Sequence, residues 1–474
     1  MIPFTSLHRL FVFVPESYQT MDFNMAQSLS KKLLGLLIFL SISAPLAQAS
    51  DLYANILSMR ERAQVIDDIT EKRIDILLPR LMKDTNIDMW LMISREYNED
   101  PTLKTFLPAT WISARRTTIL IFVRTKESQI EAFAVAPYKV GKFFQKAWDK
   151  KQQPNQWKAL LELIERYDPQ TIGVNQSEHW AHADGLVASD KEKLLEALPT
   201  KYQRRIVSAE KLAVAWLEQR IPQEMSYFKS MTAMAHQIIA EGFSAQVVIP
   251  GTTTSDDLVW WFREKVRDLN LTTWFHPSVS IQREDDSKFD HENSFTNTSG
   301  KNVILKGDLL HVDFGLSYLR LNTDTQQHAY ILKDGEQSAP EDLQKALTQG
   351  NFLQDIFTGN FKRGKTGNEV LSMSLKQARD RGLKPTIYTH PLGYHGHAAG
   401  TTLGMWDSQE GVPGSGDYPL HENTAYSIEL NTAVFLDSWN KEIRIMLEED
   451  AFFDSTGVWY LDGRQKQLIL IGEK

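Results

Sequence analysis

Four acidic residues interrupt segments that otherwise read as buried β-strands. Asp313 ends an apolar run, and Asp324 follows eleven residues later on what reads as the returning strand of a hairpin. Glu429 and Glu448 stand inside two further apolar runs nearer the C-terminus. A charged residue inside an apolar strand is unfavourable unless it is paired or bound to a metal. One such pair is most simply explained by structural hydrogen bonds, whereas four carboxylates indicate a shared site.

Between the two pairs of acids lies a segment rich in histidine and glycine. It reads His390-Pro-Leu-Gly-Tyr-His395-Gly-His397-Ala-Ala-Gly400. Glycine lets the backbone come close to a site, and histidine supplies imidazole. Four carboxylates carry about four negative charges, which two divalent metal ions would neutralise. A carboxylate-rich set favours hard or borderline metals, so we expect manganese, with cobalt, zinc or iron as alternatives. Such a pair of ions supports metal-assisted amide hydrolysis.

The order and spacing of these residues resemble the pita-bread metallopeptidase family of methionine aminopeptidase, aminopeptidase P and prolidase. The matching features are a DxG, an Asp eleven residues later, a GHxxG, a Glu on a strand and a final acidic strand end, over roughly residues 222–474. The preceding segment resembles the creatinase-type N-terminal domain of aminopeptidase P and prolidase. The resemblance implies a dinuclear peptidase that hydrolyses short peptides, of the Xaa-Pro aminopeptidase or Xaa-Pro dipeptidase type.

The resemblance also implies a role for each matching residue. Asp313 would chelate one metal ion, and Asp324 and Glu448 would bridge both ions. His397 and Glu429 would complete the shell of the other ion. Glu429 would in addition take a proton from the bridging water and deliver it to the leaving amine.

Four other histidines are candidates for neighbouring roles. His291 stands roughly where the family has a substrate-contacting histidine, although the spacing here is longer. His395 is the alternative metal ligand, but the GHxxG pattern favours His397. His395 and His390 are then expected behind the ligands or on the substrate side. His311, two residues before the first acid and on the same strand face, is expected to be a buried hydrogen-bonded residue rather than a ligand.

Several positions depart from the family pattern. Trp406 precedes Asp407 where aminopeptidase P and prolidase carry a histidine, and Gln326 replaces an arginine. Arg444 lies four residues before the last Glu instead of two. Trp406 and Arg444 are therefore substrate-side candidates that support Xaa-Pro specificity only weakly. The alternatives are a non-peptidase hydrolase on the same scaffold and a non-catalytic peptide-binding member.

The elements that position these residues form two predicted domains. In residues 50–220, strand-like runs such as 89–93 and 117–123 alternate with helical patterns, which indicates a creatinase-like α/β domain. Pro222 suits the first turn of a helix that runs to about residue 248. Thr254 and Asp257 resemble the capping box of a second helix. Strand-like runs follow, so residues 221–474 are expected to form an α+β pita-bread catalytic domain.

The N-terminal segment predicts export. Lys31 and Lys32 precede a short apolar run, and Ala47-Gln48-Ala49 has the small residues that a signal peptidase reads. We therefore treat residues 1–49 as a signal peptide with an upstream extension, and Met21 or Met25 as possible true starts. The apolar run is shorter than the roughly 20 residues of a membrane span. The mature protein is expected to be periplasmic or secreted, with no membrane attachment after cleavage near Ala49.

Composition excludes several other classes of protein. The chain lacks cysteine, which removes disulfides, thiolate metal sites and cysteine nucleophiles. Its formal net charge is -8 and its basic residues are scattered, so we expect no nucleic-acid partner. A small peptide substrate is the expected partner, and a homodimer is possible.

Overall fold

Two β-sheets organise the described part of this computed structural model, which comprises residues 52–284 and 302–472. All the elements below lie within residues 56–474, which form one compact unit. The signal peptide predicted for residues 1–49 and the candidate residue His291 lie outside the described residues. Within the described ranges, no helix is both long and apolar enough to cross a membrane.

The first sheet has six strands in the order β4-β3-β2-β1-β5-β6. Its strands are β1 Met89–Arg95, β2 Thr117–Arg124, β3 Ile130–Val135, β4 Gln145–Lys146, β5 Ile172–Val174 and β6 Ile206–Ser208. The helices of this region are α1 Met59–Ile76, α2 Leu78–Asp84, α3 Pro101–Lys104, α4 Gln156–Tyr167, α5 Ala188–Ala197, α6 Thr200–Gln203 and α7 Glu210–Glu218. Strand β1 alternates between two apolar cores, with Trp90 and Met92 in one and Leu91 and Ile93 in the other. Both faces of the sheet are therefore covered.

The second sheet has nine strands and carries the acidic residues. Its main order is β12-β14-β15-β11-β8-β7, while β13 pairs with β14, β16 with β15 and β17 with β11. These strands are β7 Ser278–Gln282, β8 Leu309–Phe314, β11 Thr325–Ile331, β12 Pro385–Ile387, β13 His390–Leu392, β14 Thr424–Leu436, β15 Lys441–Asp454, β16 Gly457–Tyr460 and β17 Ile469–Ile471. Two short strands, β9 Ser317–Tyr318 and β10 Leu321–Asn322, form a separate ribbon. The accompanying helices are α8 Pro222–Gly242, α9 Ser255–Asp268, α10 Glu341–Gly359 and α11 Gly367–Asp380.

The two predicted helix starts in this region are confirmed. Pro222 occupies the first turn of α8, and Thr254 forms a capping box with Asp257 at the start of α9. Helix α8 ends at Gly242 rather than near residue 248, because Phe243 leaves the helical region with a ψ of 51°. Gly242 packs so closely on Phe262 that a Cβ would lie 2.5 Å from the ring.

Side chains of the first sheet region reach the histidine-rich segment. The indole Nε1 of Trp180 donates to the carbonyl of Gly400 at 3.1 Å, and Ala399 packs into a core shared with Trp216. Arg320, in the loop between β9 and β10, donates to the carbonyl of Leu107 at 2.8 Å. The domain boundary at residues 220/221 stays a prediction.

Candidate metal centre

The strand register places three of the four carboxylates in one row across the second sheet. Asp313 on β8 lies opposite Gln326 on β11, Gln326 lies opposite Glu448 on β15, and Glu448 lies opposite Glu429 on β14. Directly opposed residues share a sheet face. Asp324 stands two residues before Gln326 and joins the same side. Hydrophobic strand pairing therefore brings four acids together that repel one another.

Three groups of side chains have ligand atoms within 4.8 Å of one another. The first is Asp313, Asp324 and Glu448; the second is His390, Glu429 and Glu448; the third is Asp324, His390 and His397. All five residues predicted as ligands thus converge, and His390 joins them. Asp324, Glu448 and His390 each belong to two groups, so they occupy the middle of the cluster.

His390 is more deeply placed among the acids than His397. Its side chain is buried, and its Nε2 lies 3.7 Å from Asp324 Oδ2 and 3.8 Å from Glu448 Oε1. Its Nδ1 donates to the carbonyl of Pro391 at 3.0 Å, which leaves the Nε2 lone pair directed at the cluster. His397 is exposed, and its ring centroid lies 4.6 Å from that of His390 in an edge-to-face contact. His390 therefore has the orientation of a ligand, although the sequence places it on the substrate side.

Burial and mutual repulsion raise the pKa values of the acids. Burial raises the pKa of Asp313 to about 7, and burial with the charge of neighbouring acids raises those of Asp324, Glu429 and Glu448 well above their usual range. Burial also lowers the pKa of His390 to about 3, so its ring is neutral. The cluster holds acidic protons at neutral pH that a cation could replace.

The donor set fits divalent metal ions. Asp313 Oδ1, Asp324 Oδ1 and His390 Nε2 are buried, and none has a hydrogen-bond partner in the described parts of the chain. Buried polar atoms are ordinarily satisfied, so unsatisfied atoms that converge on one point need a ligand to explain them. Oxygen donors with one imidazole suit manganese and its neighbours.

Gln326 contacts two acids of the cluster, and the sequence alone does not reveal these contacts. Its Nε2 donates to Glu429 Oε1 at 2.6 Å and to Glu448 Oε2 at 2.7 Å. Its Oε1 accepts from His311 Nε2 at 2.8 Å, while His311 Nδ1 lies 3.3 Å from Ser280 Oγ. His311 is thus a buried hydrogen-bonded residue, as the sequence favours. Gln326 orients both glutamates but adds no charge to neutralise them.

The two acids that follow Glu448 have different surroundings. Asp450 accepts from the backbone N–H of Asp324 at 2.9 Å and from Thr232 Oγ1 at 2.7 Å. Glu449 accepts from His236 Nε2 at 2.8 Å and from the backbone N–H of Gln465 at 2.8 Å. These two acids therefore have partners within the protein.

His236 supplies the positive charge beside Glu449. Its Nδ1 lies 2.9 Å from Asp462 Oδ2. Although burial disfavours the charged ring, Glu449 and Asp462 raise the pKa of His236 to about 10. A protonated imidazole thus lies between two carboxylates on the opposite side of the strand from Glu448.

The remaining substrate-side candidates lie apart from the acids. His395 packs against His182, with ring centroids 4.4 Å apart. Trp406 is 47% exposed on a surface turn. Arg444 donates to Asn431 Oδ1 at 2.7 Å. Gly396, beside His395, approaches an aromatic ring so closely that a Cβ would lie 2.1 Å from Trp274.

Comparison with known proteins identifies the fold. No protein-family model and no curated protein sequence matches the chain. Among solved structures, the chain resembles an X-Pro aminopeptidase from Thermotoga maritima, with 15% identity, a TM-score of 0.58 and coverage of 82% of this chain and 99% of the other. A Xaa-Pro dipeptidase from Bacillus anthracis matches with 14% identity, a TM-score of 0.54 and coverage of 87% and 100%.

A third similar structure is not named as a peptidase. The N-terminal domain of the FACT complex subunit SPT16 from chickpea matches with 14% identity, a TM-score of 0.50 and coverage of 87% of this chain and 98% of the other. The predicted fold class, an α/β region followed by an α+β pita-bread region, is confirmed. Function has to be argued from the site, since one fold serves several functions.

Proposed function

We propose that this chain is a metal-dependent peptidase that hydrolyses short peptides, of the Xaa-Pro aminopeptidase or Xaa-Pro dipeptidase type. The observation that carries the proposal is the convergence of three buried carboxylates and half-buried Asp313 with His390, including oxygens of Asp313 and Asp324 that have no hydrogen-bond partner in the described ranges. Burying such charges without compensation is strongly unfavourable. The likeness in fold to X-Pro aminopeptidases and dipeptidases supports the same reading.

The three overlapping groups support two ions that share ligands. Asp324, Glu448 and His390 each belong to two groups, but only the carboxylates have two oxygens to offer, since His390 Nδ1 is bonded to Pro391. Asp324 and Glu448 would therefore be the residues that contact both ions. Asp313 would complete one set and Glu429 the other. We assign the imidazole ligand to His390 rather than His397, because the Nε2 of His390 is the buried, unsatisfied nitrogen. Manganese is the metal that we propose first, with cobalt, zinc or iron as alternatives.

The protein residues supply orientation and proton transfer. When bound, the ions would polarise the scissile carbonyl and lower the pKa of water. Glu429, whose pKa burial raises, is suited to carry a proton from the attacking water to the leaving amine. The Gln326 amide fixes one Glu429 oxygen by its 2.6 Å hydrogen bond, which leaves the other for the proton. Exposed His397, beside His390, would face the substrate.

The central experiment combines metal analysis with a peptide panel. We expect bound divalent metal and hydrolysis of dipeptides or tripeptides, with proline preferred or tolerated after the first residue. Glu429→Gln keeps the shape but removes the proton carrier, so turnover should fall by at least about 100-fold. His390→Ala should reduce metal content, whereas His397→Ala should spare it. Active wild-type protein without specific metal, or metal-loaded protein inactive on every peptide, would refute the proposal.

We also propose a periplasmic or secreted location and a small peptide as the natural partner. The location rests on the signal-like sequence of residues 31–49, and the partner on the metal centre. N-terminal sequencing of protein from an exporting bacterial host should show a mature start near Ser50. A cytoplasmic product that retains residues 26–49 would contradict it.

A further inference from the structure

A second histidine pair lies beside the metal centre and joins the two sheet regions. His182 belongs to a 3-10 turn, Ala181–Ala183, in the first sheet region, and its ring centroid lies 4.4 Å from that of His395. The rings are tilted by 42°. Both side chains are half-buried, so each keeps part of its surface open to solvent. Neither residue has a role in the proposed metal site.

The position of His182 is built into the first sheet region. Thr102 Oγ1 donates to the carbonyl of His182 at 2.8 Å. Thr102 belongs to helix α3, whose start is capped by Asp100 through the backbone N–H groups of Thr102 and Leu103. The last residue of that helix is Lys104, whose side chain is exposed. One short capped helix therefore positions both His182 and the charge of Lys104.

The charges around His395 favour an anion. Burial is the main cause that lowers the pKa of His395, and the charged groups that lower it further are His182, Lys104 and Arg220. All of these are basic. Arg220 is buried and engaged with Glu224 at 2.8 Å, so it contributes charge but no contact. The Nδ1 of His395 is buried and has no hydrogen-bond partner within the described ranges. A neutral imidazole N–H that experiences the positive charge of a lysine favours a carboxylate over an ammonium group.

The pair is close enough to the metal centre to contact the same peptide. His395 stands two residues before His397, so their Cα atoms are at most about 7 Å apart. His397 in turn contacts His390 with ring centroids 4.6 Å apart. Burial lowers the pKa of His182, and the electrostatic effect of His397 lowers it further. One or two peptide residues would span this distance.

We propose that His182, His395 and Lys104 bind the C-terminal carboxylate of a short peptide whose scissile bond lies at the metal centre. This inference rests on the proposed peptidase function and narrows it, since the site would select dipeptides and tripeptides over long peptides. The first sheet region would therefore take part in substrate recognition. A longer peptide would have no carboxylate at this position and would leave these groups unpaired.

The test compares a peptide with its amide. We expect the wild-type protein to hydrolyse Ala-Pro with a KM about ten-fold lower than that for Ala-Pro amide, as one charge-assisted hydrogen bond implies. His182→Phe keeps an aromatic ring against His395 but removes its N–H, and Lys104→Met removes the charge. Each variant should raise the KM for Ala-Pro about ten-fold while kcat, metal content and the KM for Ala-Pro amide stay within two-fold. An equal effect on acid and amide, or none, would overturn the inference.

A binding measurement separates this inference from the peptidase proposal. Calorimetry with a reduced-bond Ala-Pro analogue needs no turnover, so it reports on the carboxylate site even if no peptide is cleaved. We expect about ten-fold tighter binding of the free acid than of its amide, and loss of that difference in His182→Phe. Equal binding of acid and amide by the wild-type protein would overturn the carboxylate site whatever the activity. Asp-Pro amide has a side-chain carboxylate but no C-terminal one, so it tests which carboxylate the site binds. If it bound as tightly as the free acid and Ala-Pro amide did not, the assignment to the C-terminus would be overturned.

Discussion

Glu448 and Glu449 are neighbours on one buried strand, and their surroundings are opposite. Glu449 is fully buried against His236, which is protonated, and also accepts a backbone N–H. Glu448 is equally buried, but it faces Asp313 and Glu429. Its hydrogen-bond donors among the described residues, Ser427 and Gln326, are both neutral. Its basic neighbour, His390, is neutral. A buried acid with a cation inside the protein stabilises the fold, whereas a buried acid without one needs a cation from solution.

Glu448→Gln should produce the largest change in function. The substitution removes a charge shared by two ligand groups, so metal content and activity should both fall. Activity should fall by more than about 100-fold, which is the largest loss usual for residues that only support a metal ligand. The metal-free variant should be no less stable than the metal-free wild type, because it loses an uncompensated charge. Elemental analysis, peptide assays and urea unfolding measure the three effects. Unchanged metal content would mean that Glu448, like Glu449, stabilises the fold and does not bind metal.

Glu449→Gln is the matched control and should affect stability. Removing this acid leaves buried His236 with less compensation, so the free energy of unfolding should fall by about 3 kcal/mol, near the low end of the cost of breaking a buried pair. Metal content and peptide affinity should stay within two-fold. Urea unfolding of the metal-loaded protein measures the change. A variant that keeps its stability but loses metal would erase the distinction between the two acids.

The pH dependence of stability should differ with and without metal. The pKa values of Asp313, Asp324, Glu429 and Glu448 are raised in the folded state, chiefly by burial, to about 7 for Asp313. An acid with a raised pKa in the folded state stabilises the fold at a pH below its pKa in the unfolded state, which is roughly 4 for Asp and Glu. This stabilisation is lost as the pH rises through the pKa of the folded state. The free energy of unfolding of the metal-free protein should therefore fall as the pH rises from about 4 to 8. Unfolding midpoints measured with manganese or with EDTA check this, and parallel profiles would contradict it.

Asp450→Asn should produce the smallest effect. The asparagine oxygen can still accept the 2.9 Å hydrogen bond from the Asp324 backbone, but it loses the full charge. Metal affinity should fall by about ten-fold or less for Asn, and by up to about 100-fold for Asp450→Ala, the usual range for a residue that orients a ligand. Titration of metal-free protein with manganese measures both. A larger loss for Asn than for Ala would exclude a positioning role.

The sequence predicts much of the acid cluster because an Asp or Glu inside an apolar strand is conspicuous. Asp313, Asp324, Glu429 and Glu448 converge for that reason. The sequence does not predict strand register. The position of Gln326 opposite both Asp313 and Glu448 is therefore found only from the strand pairing in the structure. Physical chemistry explains why register is hidden: pairing depends on the whole sheet and not on one segment.

The histidines are harder to predict than the acids. The GHxxG pattern favours His397, but the short strand β13 pairs His390 with Ser427 and so fixes His390 beside Glu448. A strand of three residues has too few positions for its pattern to be recognised. His182 meets His395 across more than 200 residues of chain, and nothing near either residue in the sequence indicates the contact.

The single residue pairing between strands β11 and β15 has a consequence for how the chain folds. Each half of the acid cluster lies on its own hairpin, β8–β11 or β14–β15, and hairpins close quickly because their contacts are local. Among the described residues, the one strand pairing between the halves joins Gln326 to Glu448, across 122 residues of chain. Closing so long a loop is slow, and it brings like charges together, so we expect docking of the two preformed hairpins to be a late step of folding. The amide of Gln326 and the backbone N–H of Asp324 would then donate to the acids of the other hairpin only after the two hairpins dock.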